Sequence, residues 1–212
     1  MTVCQQRRSV PPVSSPTAPA RRRLDPDARR GEILDAAVRL YAERSYASVS
    51  TGDLAAEAGV ARGLLNHYFG TKRGLYLEAL RELLTIPEAA AREVGGRTRP
   101  ERAGAAVDWF LDAVETRRGL WLSVGIGAGG DPEVDAVVAD ADEVAADRVL
   151  GALGLDPAAA SLRARVRAYF GLVRSASREW LVRGSLDRAG VRDLLVTTLV
   201  ALLPEPSLRE EP

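Results

Sequence analysis

One cysteine, one histidine, one lysine and one asparagine are all that 212 residues hold of those four types. Each scarcity excludes something. Cys4 has no partner for an internal disulfide, which favours a reducing, cytoplasmic compartment. His67 has no second histidine beside it and Cys4 lies far away in the basic start, so no metal site is expected. No run of about 18 apolar residues occurs, which leaves no candidate membrane span. The basic N-terminal stretch lacks an apolar segment before a cleavage site, so it does not read as a secretory signal. No paired carboxylates and no nucleophile–base set are legible, so an enzyme is not expected. The glycine-rich run Gly125–Gly130 follows no strand and precedes no Lys-Ser/Thr, so it reads as a flexible connection and not a phosphate loop. No cofactor is expected.

Aromatic residues are also few, at 5%, whereas hydrophobic residues reach 46% and are mostly Ala, Leu and Val. That balance favours helices over strands and suffices for a sizeable core. The net charge is zero, but it is unevenly spread. Residues 1–80 carry 12 basic and 8 acidic side chains, and the remainder carries 17 and 21. A basic N-terminal part on an acidic body suits a polyanion-binding module joined to something else.

The pattern along the chain is all-α. Residues 1–26 are rich in Pro, Ser, Thr and Arg and read as a disordered basic arm. Its Arg21-Arg22-Arg23 cluster is either a solvated tail or a contact to phosphate or the minor groove. Ile33, Ala37 and Tyr41, with Leu34 and Val38 beside them, predict a helix over about 27–44. Ser50 or Thr51 can cap a second, with Asp53 in its first turn and Gly59 at its end. A third runs over about 61–68, and Thr71 caps a fourth through Leu75, Leu77, Leu80 and Leu84. Further helices are expected over 101–117, from Asp131-Pro132-Glu133 onward, over 157–183 and over 187–203, with a disordered tail at 205–212. The helix opened at Asp131 is expected to carry Val134, Val137, Val138, Ala141, Val144, Ala145 and Val149 on one side.

The three rarest polar residues fall together, in Asn66-His67-Tyr68-Phe69-Gly70-Thr71-Lys72. This segment ends the third of three short helices, and a glycine turn precedes that helix. The arrangement is a helix-turn-helix candidate. Leu65 and Phe69 should face the core, leaving Arg62, Asn66 and His67 outward. Arg pairs with guanine and Asn with adenine. Asn66 can therefore read a base edge or stand solvated. His67 reads as a packed or phosphate-facing ring or as a titrating switch. Gly63 permits close approach to a duplex, Leu64 can touch a thymine methyl, and Ser50, Thr51, Tyr68 and Lys72 suit phosphate oxygens.

Residues 49–77 resemble the DNA-binding domain of TetR-family transcriptional regulators. The matching pieces are Leu54-Ala55, Ala58-Gly59-Val60, Gly63, His67-Tyr68-Phe69, Lys72 and Leu75. Three positions depart from the family pattern: Asn66 stands where Tyr is usual, and Ala61 and Leu64 where Ser or Thr is frequent. The resemblance implies a DNA-binding domain over 27–77 and a helical effector-binding and dimerisation domain over 78–204. It also implies a homodimeric repressor, acting at the nucleoid on a palindromic double-stranded operator and released by a small-molecule effector.

Within the second domain, Trp109, Phe110 and Trp121 are either ordinary core or the lining of an effector cavity. Leu162, Val166, Tyr169, Val173, Ala176 and Trp180 are spaced as a heptad seam, and Val191, Leu195 and Leu199 stripe the last helix. The two stripes are expected to form a four-helix dimer interface.

Overall fold

The computed structural model describes residues 25–121 and 131–203, and among them every regular element is helical. The tail and nearly all of the arm, with Cys4 and the arginine cluster, lie outside the described residues, as does the glycine-rich run.

The chain opens with α1 (Pro26–Glu43), which has proline in its first turn and buries Ile33, Ala36, Ala37 and Tyr41. A 3-10 turn (Tyr46–Ser48) leads to α2 (Thr51–Glu57). Ser50 is the N-cap of α2: its hydroxyl accepts from the Asp53 amide at 3.1 Å, and the Asp53 carboxylate accepts from the Ser50 amide at 2.8 Å. This reciprocal box satisfies two of the free amides at the helix start. Gly59, at φ +63°, turns the chain into α3 (Arg62–Phe69). Gly70, at φ +70°, then admits α4 (Lys72–Leu84), capped by Thr71.

Two short pieces, α5 (Glu88–Arg92) and later α7 (Arg118–Leu120), flank α6 (Arg99–Thr116). The long α8 (Pro132–Ala152) starts at Asp131, whose carboxylate accepts from the Glu133 and Val134 amides. α9 (Ala160–Arg178) runs on into a π-helical turn (Glu179–Arg183), and α10 (Arg188–Leu202) completes the described chain.

These helices build two cores. The first joins α1 to α4 and takes Val134 and Val137 from the start of α8. The second joins α6, α9 and α10 to the far half of α8, through Ala146 and Leu150. α4 continues unbroken across residues 77 and 78 within the first core, and α8 belongs to both cores, so one long helix links them.

Two local expectations change. α9 starts at Ala160 and not at Asp156-Pro157, because the Asp156 carboxylate accepts from the Ala158 amide at 2.9 Å and holds a turn instead. Val144 is 38% exposed. The inward stripe of α8 advances in fours, through Val137, Ala141 and Ala145, and passes it by.

The seam expected to bind a second chain is used within one. Val166, Tyr169 and Val173 of α9 and Val191, Leu195 and Leu199 of α10 are all 6% exposed or less and share the second core. Leu162 and Trp180 are half-buried against the same core. Six of the eight are therefore occupied by this chain's own core, and Leu162 and Trp180 keep part of their surface outside it. Heptad spacing marks an apolar stripe but does not say whether its partner is in the same chain. The Tyr169 hydroxyl donates to the Leu195 carbonyl at 3.0 Å, closing the α9–α10 contact from inside.

Candidate functional site

α3 is anchored from beneath and open from above. Leu65 and Phe69 are 4% and 8% exposed, and the Arg30 guanidinium stacks over the Phe69 ring at 4.8 Å. Arg62, Gly63, Leu64, Asn66 and His67 are exposed, and Tyr68 is half-buried. Nothing lies within 4 Å of where a Cβ at Gly63 would stand, so the chain's own packing does not require glycine there. Gly74 is different: a Cβ there would meet the Phe69 carbonyl oxygen at 2.5 Å, which fixes the tight turn from α3 to α4. The N-cap of α3 is Ala61, which offers no side-chain bond to the helix start.

Around this helix, Ser50 is exposed and Thr51 half-buried at the start of α2. The Arg62 guanidinium lies over Gly52, next to the same turn. Lys72 is turned partly inward. Its Nζ donates to the Tyr46 carbonyl at 2.7 Å and sits 4.1 Å from the Tyr46 ring centre. Tyr46 in turn packs on Tyr76, which meets Tyr41 edge-on at 5.0 Å. Lys72 therefore ties α4 to the turn between α1 and α2, a role the sequence did not suggest.

Three further contacts join this part of the molecule to the rest. Arg73, in the first turn of α4, donates to both Asp131 oxygens at 2.5 Å and to Glu133 at 3.1 Å. The Arg73 bond is the main cause that holds the Asp131 carboxyl below the usual carboxylate range. Arg117 donates to the Leu83 carbonyl, at the end of α4, at 2.9 Å. In α7, a Cβ at Gly119 would overlap the Glu43 carbonyl at the end of α1, so the two backbones touch directly. Asp131 was legible as a helix start. Its arginine partner was not, because nothing local distinguishes Arg73 among 28 arginines.

Beyond α4 lies a cavity of about 150 Å³. Its walls come from the end of α4, from α5, α6, α8 and α9, and from Leu199 of α10. Trp109, Phe110 and Trp121 are all on this wall, and the Phe110 and Trp121 rings meet edge-on at 5.2 Å. Tyr169 and Val173, expected at a dimer seam, line it too. Four charged residues reach the wall: Asp142, Arg117, Arg148 and Arg174. Arg174 is matched by Asp142, with both carboxylate oxygens within 3.1 Å of its Nη1.

An exposed, firmly seated helix after a glycine turn, joined by one long helix to a helical body, defines the class: this is a helix-turn-helix protein. The comparisons narrow it. Residues 33–79 match the model described as "Bacterial regulatory proteins, tetR family", and residues 100–202 match "Tetracyclin repressor-like, C-terminal domain". The chain is 32% identical over 165 residues to the HTH-type transcriptional activator FasR of Mycolicibacterium smegmatis, covering 75% of each protein. A solved TetR-family regulator from Streptomyces coelicolor superposes with a TM-score of 0.66 at 26% identity, over 83% of this chain and 80% of that one. The multidrug binding protein EbrR, solved in complex with ethidium, shares the fold with a TM-score of 0.59 at 21% identity, over 84% of this chain and 99% of its own. The chain belongs to the TetR family of transcriptional regulators, which are not enzymes.

Proposed function

We propose that the chain is an effector-controlled regulator that binds a palindromic DNA operator as a homodimer. The observation that carries this reading is the exposed row Arg62, Gly63, Leu64, Asn66 and His67 above the buried Leu65 and Phe69. Arg62 and Asn66 are the base-reading pair, and Ser50, Thr51, Tyr68 and the remaining donors of Lys72 serve phosphates. DNA binding belongs to residues 27–77, and effector binding and dimerisation to 78–204. The site of action is the cytoplasmic nucleoid.

With their apolar seams spent inside the chain, α9 and α10 have outer surfaces left for a partner. Ala164, Ala168, Gly171 and Ser175 form an exposed small-residue row on α9, and Leu194, Thr197 and Ala201 are exposed on α10. Small residues let helices approach closely, which suits packing against a second copy. The effector site is the cavity lined by Trp109, Phe110 and Trp121. It borrows Leu83 and Leu84 from the α4 that also carries Lys72 and Arg73, so a ligand that favours one α4 position would shift the reading helices.

The resemblance first favoured repression while bound. A second reading has its own support: FasR, matched over three quarters of this chain, is an activator. The experiment is selection of bound genomic fragments by the purified protein, then titration of the selected site. Arg62→Ala and Asn66→Ala should each weaken binding about 5- to 150-fold and relax base preference. Wild-type affinity should fall steeply with salt as counterions are released. Wild-type binding by both variants would overturn the assignment of α3. A reporter driven by the selected site, with and without the protein, separates repression from activation.

A further inference from the structure

On the reading that this cavity takes the effector, we propose that its ligand is an anionic amphiphile, with an apolar tail in the cavity and an oxyanion head on Arg148. The charge on the wall is one-sided. Arg174 and Asp142 cancel, while Arg117 donates to a neutral carbonyl of α4 and Arg148 remains. Arg148 is the least satisfied of the group. Its Nε is buried without a hydrogen-bond acceptor among the described residues. Its ion-pair partner, Glu88 of α5, stands at 3.6 Å and is also held by Arg92.

A guanidinium left with an unused donor beside an apolar space invites an oxyanion, which can occupy two of its donors at once. Position fits as well as charge. Arg148 and Val94 line both the apolar cavity and an adjoining outer groove. That groove also contains Arg102, whose Nε donates to the Gly96 carbonyl, and no described carboxylate forms an ion pair with it. A head at Arg148 would therefore sit where apolar lining gives way to a polar, positively biased groove. Glu88 is then the chain's own stand-in for the head, and a ligand would displace it. A cation would meet the positive charge by which Arg148 and Arg92 together exceed Glu88 at the same place.

Binding of decanoate, decyl phosphate, decanol and decyltrimethylammonium to the purified full chain, by calorimetry below their micelle concentrations, tests this. At least one of the two anions should bind, and the tighter one identifies the head as carboxylate or phosphate. Arg148→Gln should weaken that anion at least tenfold and leave decanol unchanged, with the melting temperature as a check on folding. Glu88→Gln should tighten the anion severalfold, a gain that a misfolded variant would not give. Shortening the tail by one methylene should cost about fourfold in affinity. Equal or tighter binding of decyltrimethylammonium, an Arg148→Gln variant that binds the anion like wild type, or no binding by any probe would overturn the proposal. Operator titration of the same samples separates the two readings. Arg148-dependent binding that leaves DNA affinity untouched upholds the ligand class and overturns effector control. Normal DNA binding with no anion site overturns the ligand class and leaves the DNA-binding reading standing.

Discussion

The buried hydroxyls of Tyr169 and Tyr41 stand in opposite situations. Tyr169 donates to the Leu195 carbonyl at 3.0 Å, whereas the Tyr41 hydroxyl has no hydrogen-bond partner among the described residues. Burial raises the pKa of both well above the ordinary tyrosine value, so neither ionises near neutral pH. A buried, unpaired hydroxyl is a cost, and a paired one contributes about 1 kcal/mol. Tyr169→Phe should therefore destabilise by about 1 kcal/mol, and Tyr41→Phe should be neutral or stabilising. Urea denaturation of both variants checks the pair, and equal losses would contradict the assignment. Residue scale is also where sequence reading was least able to see. Lys72 matched a family position and suggested a phosphate contact, yet its closest partner is the Tyr46 carbonyl 26 positions away. Arg73 and Arg148 gave no signal, because an arginine's partners are set by the fold and not by its neighbours in the chain.

At the scale of helices, the departure at Ala61 acquires a physical meaning. It is the N-cap of α3 and offers no side-chain acceptor to the helix start, where Ser or Thr would supply one. Ala61→Ser should stabilise the fold by about 1 kcal/mol, raising the denaturation midpoint without changing its slope. No gain would mean that DNA-free α3 already satisfies its first amides otherwise. Most helices were legible because their signals are local: the Ser50–Asp53 box, the Thr71 cap and Asp131-Pro132 all sit where the sequence indicated. Asp156-Pro157 carried the same signature and gave a turn, since an Asp side chain can serve either end of that competition. The heptad on α9 is an apolar stripe whose most buried positions, Val166, Tyr169 and Val173, pack within the chain. Period alone reports that a face is buried, and only three-dimensional packing reports by what.

For the whole molecule, the carboxylates that bind its parts together set an acid limit. The Arg73 bond lowers the Asp131 pKa, and the Arg192 bond lowers that of Asp108, which links α6 to α10. A folded-state pKa below the unfolded one contributes stability that is complete above the unfolded value, about 4, and is lost as pH falls through the folded value. Melting temperature should stay nearly level from pH 7 to 5 on account of these groups and drop below about 4. Asp131→Asn should lower it at neutral pH and flatten the acid drop. An unchanged acid profile would show that the Arg73 contact does not couple to folding.

The touching backbones of Gly119 and Glu43 bear on anyone who would splice this regulator. Joining a foreign DNA-reading half at residue 77 would set a new first helix against α7, where there is no room for even one added carbon. The same graft would keep Asp131 but discard the Arg73 that meets it. The two halves are therefore not interchangeable cassettes. A working hybrid needs its seam drawn around these contacts, carrying the end of α1 and the first turn of α4 along with the body they fit.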